Sequence, residues 1–379
     1  MKRKIKVISL FGILAISPVQ AEVALNGFAN IVAGTTTSSD ESLYGFSDKI
    51  DFKNGSLFAL QATSDLGEGL GVTAQIISRG ENEWDPEFEW AYVSYDATDE
   101  LRFLVGRQRV PFYMYSDFID VSYAYPWITP PEGVYSVPFD SFDGIGALYS
   151  SSLGEFDTTL QFIYGGNSDD LAALGDAPAD FEDLMGLSLT LNRDWLTLRA
   201  GYIQTNMNIY LGDPQDNPLY TGWNSVGYPA VANNFVIEDD TGDFIELGFQ
   251  VDYENIIVTG EYTSLTLDNT PIADADSYYI MAGYRFDSIL VHVTYGVDED
   301  SKDSFTSGIP ADSLPVAGLI AATNVFTESL TEESSYYTMG LRWDFHDSSA
   351  LKFEYTSYSD DLNSNADAGL FRTAIVTVF

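Results

Sequence analysis

RTAIVTVF, Arg372 to Phe379, alternates polar with apolar side chains, is rich in β-branched residues and ends on an aromatic. It reads as a strand. A strand at the edge of an open sheet leaves a row of unpaired backbone groups. In a sheet closed on itself the last strand pairs with the first and no edge remains. The expectation is therefore a closed sheet, with Phe379 in an aromatic girdle at a membrane interface.

Working back along the chain, the same period-two pattern recurs. In DFIELGFQVD (243–252), Ile245, Leu247, Phe249 and Val251 share one face, and Glu246, Gly248, Gln250 and Asp252 the other. SSYYTMGLRWDF, DSYYIMAGYRF and WLTLRAGYIQ repeat it. Sixteen such segments are expected, near 23–35, 55–64, 70–80, 86–96, 100–109, 143–151, 156–165, 184–192, 195–205, 243–252, 255–264, 276–286, 289–297, 335–345, 349–358 and 369–379. Most approach the ~9–11 residues that a tilted strand needs to cross a bilayer. The connections sort strictly into short ones (DLGEG, DATDE, SSLGEF, NRD, DYEN, FDS, HDSS) and long ones, in alternation. Short turns at one end and long loops at the other are the signature of a transmembrane antiparallel β-barrel. An even strand count places both termini on the periplasmic side.

The first residues agree with that destination. MKRKIK is basic, VISLFGILAIS is apolar but too short to span, and PVQA offers a cleavage site after Ala21. Residues 1–21 read as a cleaved signal peptide and 22–379 as the barrel. No later apolar run approaches the ~18 residues of a transmembrane helix. There are no cysteines, so the fold needs neither disulfides nor thiol ligands. With 57 acidic against 17 basic residues and a net charge of −40, nucleic acid is a poor partner. Four of those basic residues would leave with the signal.

The opening strand VALNGFANIVAG, the first turn DLGEGLGVTAQ, the fifth strand LRFLVGRQRVPF and the final TVF, in this order and spacing, resemble the general porins of Gram-negative outer membranes. The resemblance covers the whole mature chain. It implies a sixteen-stranded barrel in a homotrimer, with the third long loop folded inward as a constriction and the terminal strand read by the barrel assembly machinery. The weakly polar first and last strands suit a subunit interface.

That third loop, 110–142, is not a solvated surface loop. It carries ten aromatics, among them Tyr125 and Trp127, and is stiffened by Pro126, Pro130, Pro131 and Pro138. Its acids Asp117, Asp120, Glu132 and Asp140 are the candidate acidic pole. The family's acidic tip motif is absent, and YPWITPPEGVY stands in its place. Arg79, Arg107 and Arg109 are the candidate basic pole. Arg107 and Arg109 share the parity of outward-facing Leu101, Phe103 and Val105, so lining the pore requires a bulge near Gly106. Their alternative role is to pin the loop. Arg102, Arg199, Arg285 and Arg342 fall near periplasmic strand ends and read as a lower-lumen girdle. Glu87, Glu89 and Glu246 belong to the opposite vestibule. The acidic loops, such as LGDPQDNP and VDEDSKDS, lack the spacing of a calcium loop.

Two histidines, His292 and His346, give no nucleophile–base set. The expectation is a non-enzymatic channel without metal or cofactor. It passes ions and small hydrophilic solutes by passive diffusion, with a preference for cations. Its other partner is outer-membrane lipid. The alternative is a sugar-selective channel of the same fold, with loop aromatics stacking on sugar rings.

Overall fold

The structure is a computed structural model that describes residues 22–171 and 174–379. The expected signal peptide, 1–21, lies outside the described residues. Sixteen strands form: β1 (Val23–Thr36), β2 (Leu57–Gly67), β3 (Leu70–Arg79), β4 (Pro86–Asp96), β5 (Leu101–Arg109), β6 (Ser141–Leu153), β7 (Phe156–Leu171) and β8 (Ala177–Arg193) make the first half. The second half is β9 (Leu196–Ile209), β10 (Ile237–Tyr253), β11 (Ile256–Leu267), β12 (Asp274–Phe286), β13 (Ile289–Ser301), β14 (Glu332–His346), β15 (Ser349–Asp360) and β16 (Ala368–Val378). Every strand pairs antiparallel with its sequence neighbours, and β1 pairs β16 from Phe28↔Val378 to Thr36↔Leu370, so the sheet is a closed barrel. The stretch that opened the sequence reading is the seam. Beyond it, the Phe379 amide and carbonyl both bond Gly27.

The two faces of each strand divide as a barrel in lipid requires. Leu60, Val105, Phe162, Leu247, Ile280, Val293, Phe353 and Ile375 stand exposed on the outside. No described helix is long and apolar enough to cross a membrane. At one end of the barrel the connections are two residues long, apart from the four-residue connection 97–100. Asp194, Glu254 and Asp287 adopt φ of 34°, 54° and 58° there, the left-handed geometry that matches the twist of a tight hairpin.

At the other end the strands run past their expected limits. β7 continues to Leu171, β8 begins at Ala177 and β10 at Ile237. These extensions rise above Tyr164 and Tyr202, where outward apolar side chains give way to Ser168, Asp169, Asp170 and Asp180. With no lipid to face, a ladder needs no apolar alternation, and the sequence pattern fades before the strand does. The long loops also hold helices α1 (Pro218–Ser225), α2 (Pro229–Asn233) and α3 (Leu314–Glu328). α3 is apolar on nearly every side and so lacks a helical period. It packs Val316 and Leu319 with Trp223 of α1, whose indole donates to Thr323 at 2.9 Å.

Candidate functional site

β5 and β6 part at the Val110 amide, which donates to the Asp140 carbonyl at 2.7 Å. Between them the chain enters the barrel. Two single 3₁₀ turns, Ser116–Phe118 and Ser122–Ala124, reverse it inside the lumen. Its aromatics form a core with the inner wall of β8–β13. Phe112 meets Phe244 edge-on at 4.9 Å, Phe139 stacks on Phe181 at 4.2 Å, and Trp127 stands against Tyr279 at 5.4 Å. Trp127 is 2% exposed and Tyr125 3%. Each such side chain taken from water contributes roughly 1.5–3 kcal/mol. Most of the rings are consumed in packing, while Phe118, Tyr123 and Tyr135 are half-buried.

Polar contacts fasten the loop at its edges, because a buried donor or acceptor without a partner is costly. On one side Asp120 accepts from Arg109 at 2.5 Å and Arg79 at 3.1 Å. Glu89 of β4 completes the knot, 2.6 Å from Arg109 and 2.9 Å from Arg79, with Asp140 3.1 Å from Arg109. Glu87 also pairs Arg79. Burial pushes the Asp120 carboxyl up, but the two guanidiniums outweigh it and hold it below the usual aspartate range. Asn30 of β1 donates to the Asp120 carbonyl at 2.9 Å.

On the far side the anchors come from β13–β16. Lys352, 1% exposed on β15, donates to the carbonyls of Ser122 at 2.5 Å and Tyr125 at 2.9 Å, to that of Trp127, and to the Ser122 hydroxyl at 3.0 Å. Arg342 donates to the carbonyls of Tyr123 at 2.7 Å and Tyr125 at 3.0 Å. Arg372 donates to Thr129 at 2.8 Å and pairs Glu354 at 3.0 Å and Glu132 at 3.6 Å. The Trp127 indole donates to Thr294 at 2.7 Å. Below, Glu261 of β11 accepts from the Met114 amide at 3.1 Å and the Tyr135 hydroxyl at 2.8 Å.

Arg79, Arg109, Asp120 and Asp140 thus come together in direct contact. Arg107 does not join them. Its guanidinium lies 2.9 Å from the Ser141 hydroxyl and 3.4 Å from Asp143. Gly106 does adopt an unusual φ of 129°, yet the β5–β6 register runs unbroken through it. Arg107 therefore keeps the parity of Val105, and only Arg109, the last residue of the strand, turns into the lumen. Asp117 is exposed and has no ion pair or hydrogen bond among the described residues. Of the four arginines near the short-turn end, Arg102 pairs Asp96 at 2.5 Å and Arg285 pairs Asp252 at 2.6 Å. The other two reach the loop. Arg199 donates to the Pro111 carbonyl at 2.6 Å, and Arg342 holds the segment described above. The loop sinks deeper than its sequence position suggested.

Sequence reasoning missed Lys352, Glu354, Glu261 and Arg372. Each was legible only as a charged residue of inward parity; Arg372 is the first residue of the RTAIVTVF stretch within the seam strand. Among the described residues no group of three His, Cys, Asp or Glu side chains could hold a metal ion.

A charged knot at one wall, a carbonyl-gripping lysine at the other and an aromatic core between them describe a barrel narrowed by its own loop. Solved structures with the same architecture include a loop-deletion mutant of the Vibrio cholerae outer-membrane protein OmpT, at 15% identity and TM-score 0.61, covering 95% of this chain and 99% of that one. Salmonella typhi OmpF in complex with daunomycin matches at 12% identity and TM-score 0.59, over 95% and 98%. An anion-selective porin from Comamonas acidovorans matches at 13% and 0.57, over 95% and 100%. No curated protein sequence matches the chain. The family model of Gram-negative porins, however, matches residues 12–363, and the chain belongs to that family, an outer-membrane channel built as a closed barrel of sixteen strands.

Proposed function

We propose that this channel passes ions and small hydrophilic solutes by passive diffusion, with a preference for cations, and catalyses no reaction. The observation that carries the reading is the division of labour in the loop. Most of its aromatics are buried in packing, while Asp117 remains exposed and unpaired among the described residues. A loop whose rings are mostly spent on packing gives a sugar few faces to stack on, and a free carboxylate in a chain of net charge −40 favours cations. Because a structural neighbour is an anion-selective porin, the preference must come from this chain's own charges. The reading includes a homotrimer, as one solved OmpT structure is described as a trimer form. Both termini face the periplasm, residues 1–21 are removed on export, the seam strand ending at Phe379 is the segment offered to the assembly machinery, and the outer wall meets lipid.

Liposome swelling tests the solute class. Swelling rates should fall smoothly with solute size, and an excess of any sugar should leave the passage of others unchanged. Saturation or blockade by one sugar would favour the selective alternative. Asp117→Asn should weaken cation preference about twofold in salt-gradient potentials. An unchanged potential would assign the preference to the rim acids.

A further inference from the structure

The outer face of β9 changes character above the membrane. Leu198, Ala200 and Tyr202 face lipid. The same column continues upward as Gln204, Asn206 and Asn208, alternating with buried Ile203, Thr205, Met207 and Ile209. Six residues of a strand tilted by about 40° lift Asn208 about 15 Å above Tyr202. At that height the outer wall holds a cavity of about 400 Å³. Three elements line it. One is the rim of the sheet, where Asp180 of β8 pairs Asn208 in register. The second is the chain from Tyr210 to Asn217, reversed at Gly212, whose φ is 101°. The third is Phe235 and Val236, where the helical cap returns to β10 and Glu238.

Apolar side chains with a few placed polar groups are the usual build of a small-molecule site. Tyr210 is 65% exposed and Leu211 50%, so both present an apolar face. The polar groups are of two kinds. The Asn208 side-chain oxygen accepts from the Asp239 amide at 2.9 Å, and that of Asn217 from the Leu219 and Tyr220 amides at 2.9 and 3.3 Å. Each asparagine therefore keeps its NH₂ end as a donor with no partner among the described residues. Asp180 gives one oxygen to the Ser168 hydroxyl at 2.5 Å and keeps the other, while the Glu238 carboxylate is unpaired among the described residues. No lysine or arginine lines the cavity. An anion would meet the carboxylates, and a cation would meet the two amide donors. A hydroxyl satisfies both, because it donates and accepts.

We propose that this pocket binds an uncharged saccharide ring, its C–H face laid on Tyr210 and its hydroxyls bridging the Asn208 and Asn217 amides to the Asp180 and Glu238 carboxylates. The pocket is built from outward-facing strand residues and lies outside the lumen, so it adds a recognition site to the wall and does not depend on conduction. The sugar could come from a membrane glycolipid beside the barrel or from a free glycan; the chemistry recognised is the same.

The test is calorimetric titration of the purified full barrel in nanodiscs with neutral trisaccharides of glucose, galactose or mannose. At least one should bind saturably. Tyr210→Ala should weaken that binding about tenfold, whereas Tyr210→Phe, which keeps the ring, should stay within about threefold of the wild type. Glu238→Gln should weaken it about threefold, and a 6-phosphate on the sugar about tenfold. Nanodiscs carrying a glycolipid with a neutral sugar head separate the sources: competition with the trisaccharide supports a membrane-borne sugar, and saturable binding without competition supports a free glycan. Unit conductance should be unchanged in all three variants, which also reports that they fold. No saturable binding of any of the three trisaccharides, equal binding of the 6-phosphate, or binding undiminished in Tyr210→Ala would overturn the inference. Sugar that still binds Tyr210→Ala and blocks its current would place the site in the lumen instead.

Discussion

Asp120 is the residue on which the loop's charged edge depends. It lies within 3.1 Å of two arginines from different strands. Its carboxyl is held below the usual aspartate range. A carboxyl depressed on folding stabilises the docked loop at every pH above its unfolded value, about 4. That contribution is lost as pH falls through the depressed value. Acidification below pH 4 should therefore loosen the loop, read as rising conductance noise, and Asp120→Asn should show the noise already at pH 7. Noise that is flat from pH 7 to pH 2 would mean that the aromatic core alone holds the loop. Removing one partner of a buried pair typically costs about 3–5 kcal/mol, because the remaining charge stays buried without compensation. Arg109→Met should accordingly expose residues 110–140 to proteinase K, whereas Arg107→Met should leave them resistant. The sequence placed Arg107 and Arg109 side by side with equal claims. What separates them is where β5 ends, which depends on its pairing with β6 and is invisible in the local pattern.

Among the elements, the strands and the loop differ in how they could be read. A strand in this barrel answers to lipid on one face and lumen on the other, so alternation betrays it within ten residues. β10 is an example, with Ile245, Leu247 and Phe249 against Glu246 and Gln250. The loop answers to partners far away in the chain. Trp127 bonds Thr294, and Ile128 bonds Glu354. Composition revealed that the loop must be buried, through its aromatics and prolines. Which walls would receive it was not legible, since no local period encodes a contact across more than 150 residues. The same holds for α3, whose apolar residues surround the helix and answer to α1 rather than to a core stripe. Trp127→Ala should weaken loop docking by about 3–5 kcal/mol, through lost burial and the cavity left behind. The expected sign is a lower temperature for protease nicking of the loop, with the barrel's own unfolding temperature nearly unchanged. A fall in both together would mean that loop and barrel unfold as one unit.

The whole molecule follows from closure. An open sheet in lipid would leave β1 and β16 with unsatisfied backbone groups, each costing several kcal/mol, and the seam pairing of Ala29–Thr36 with Leu370–Thr377 removes that cost. Outside and inside then tolerate opposite chemistry. Leu247→Arg, on the lipid face, should destabilise insertion by about 2–4 kcal/mol, whereas Gln161→Arg, facing the lumen, should insert normally. Equal effects in a vesicle-folding titration would contradict the assigned faces. The central claim is that this barrel is a cation-preferring water-filled channel narrowed by its own loop. Its most direct test is the wild-type protein in a planar bilayer under a KCl gradient. Discrete conductance steps, grouped in threes, with a reversal potential on the cation side are the result the account predicts. No conductance, or a reversal potential on the anion side, would contradict it.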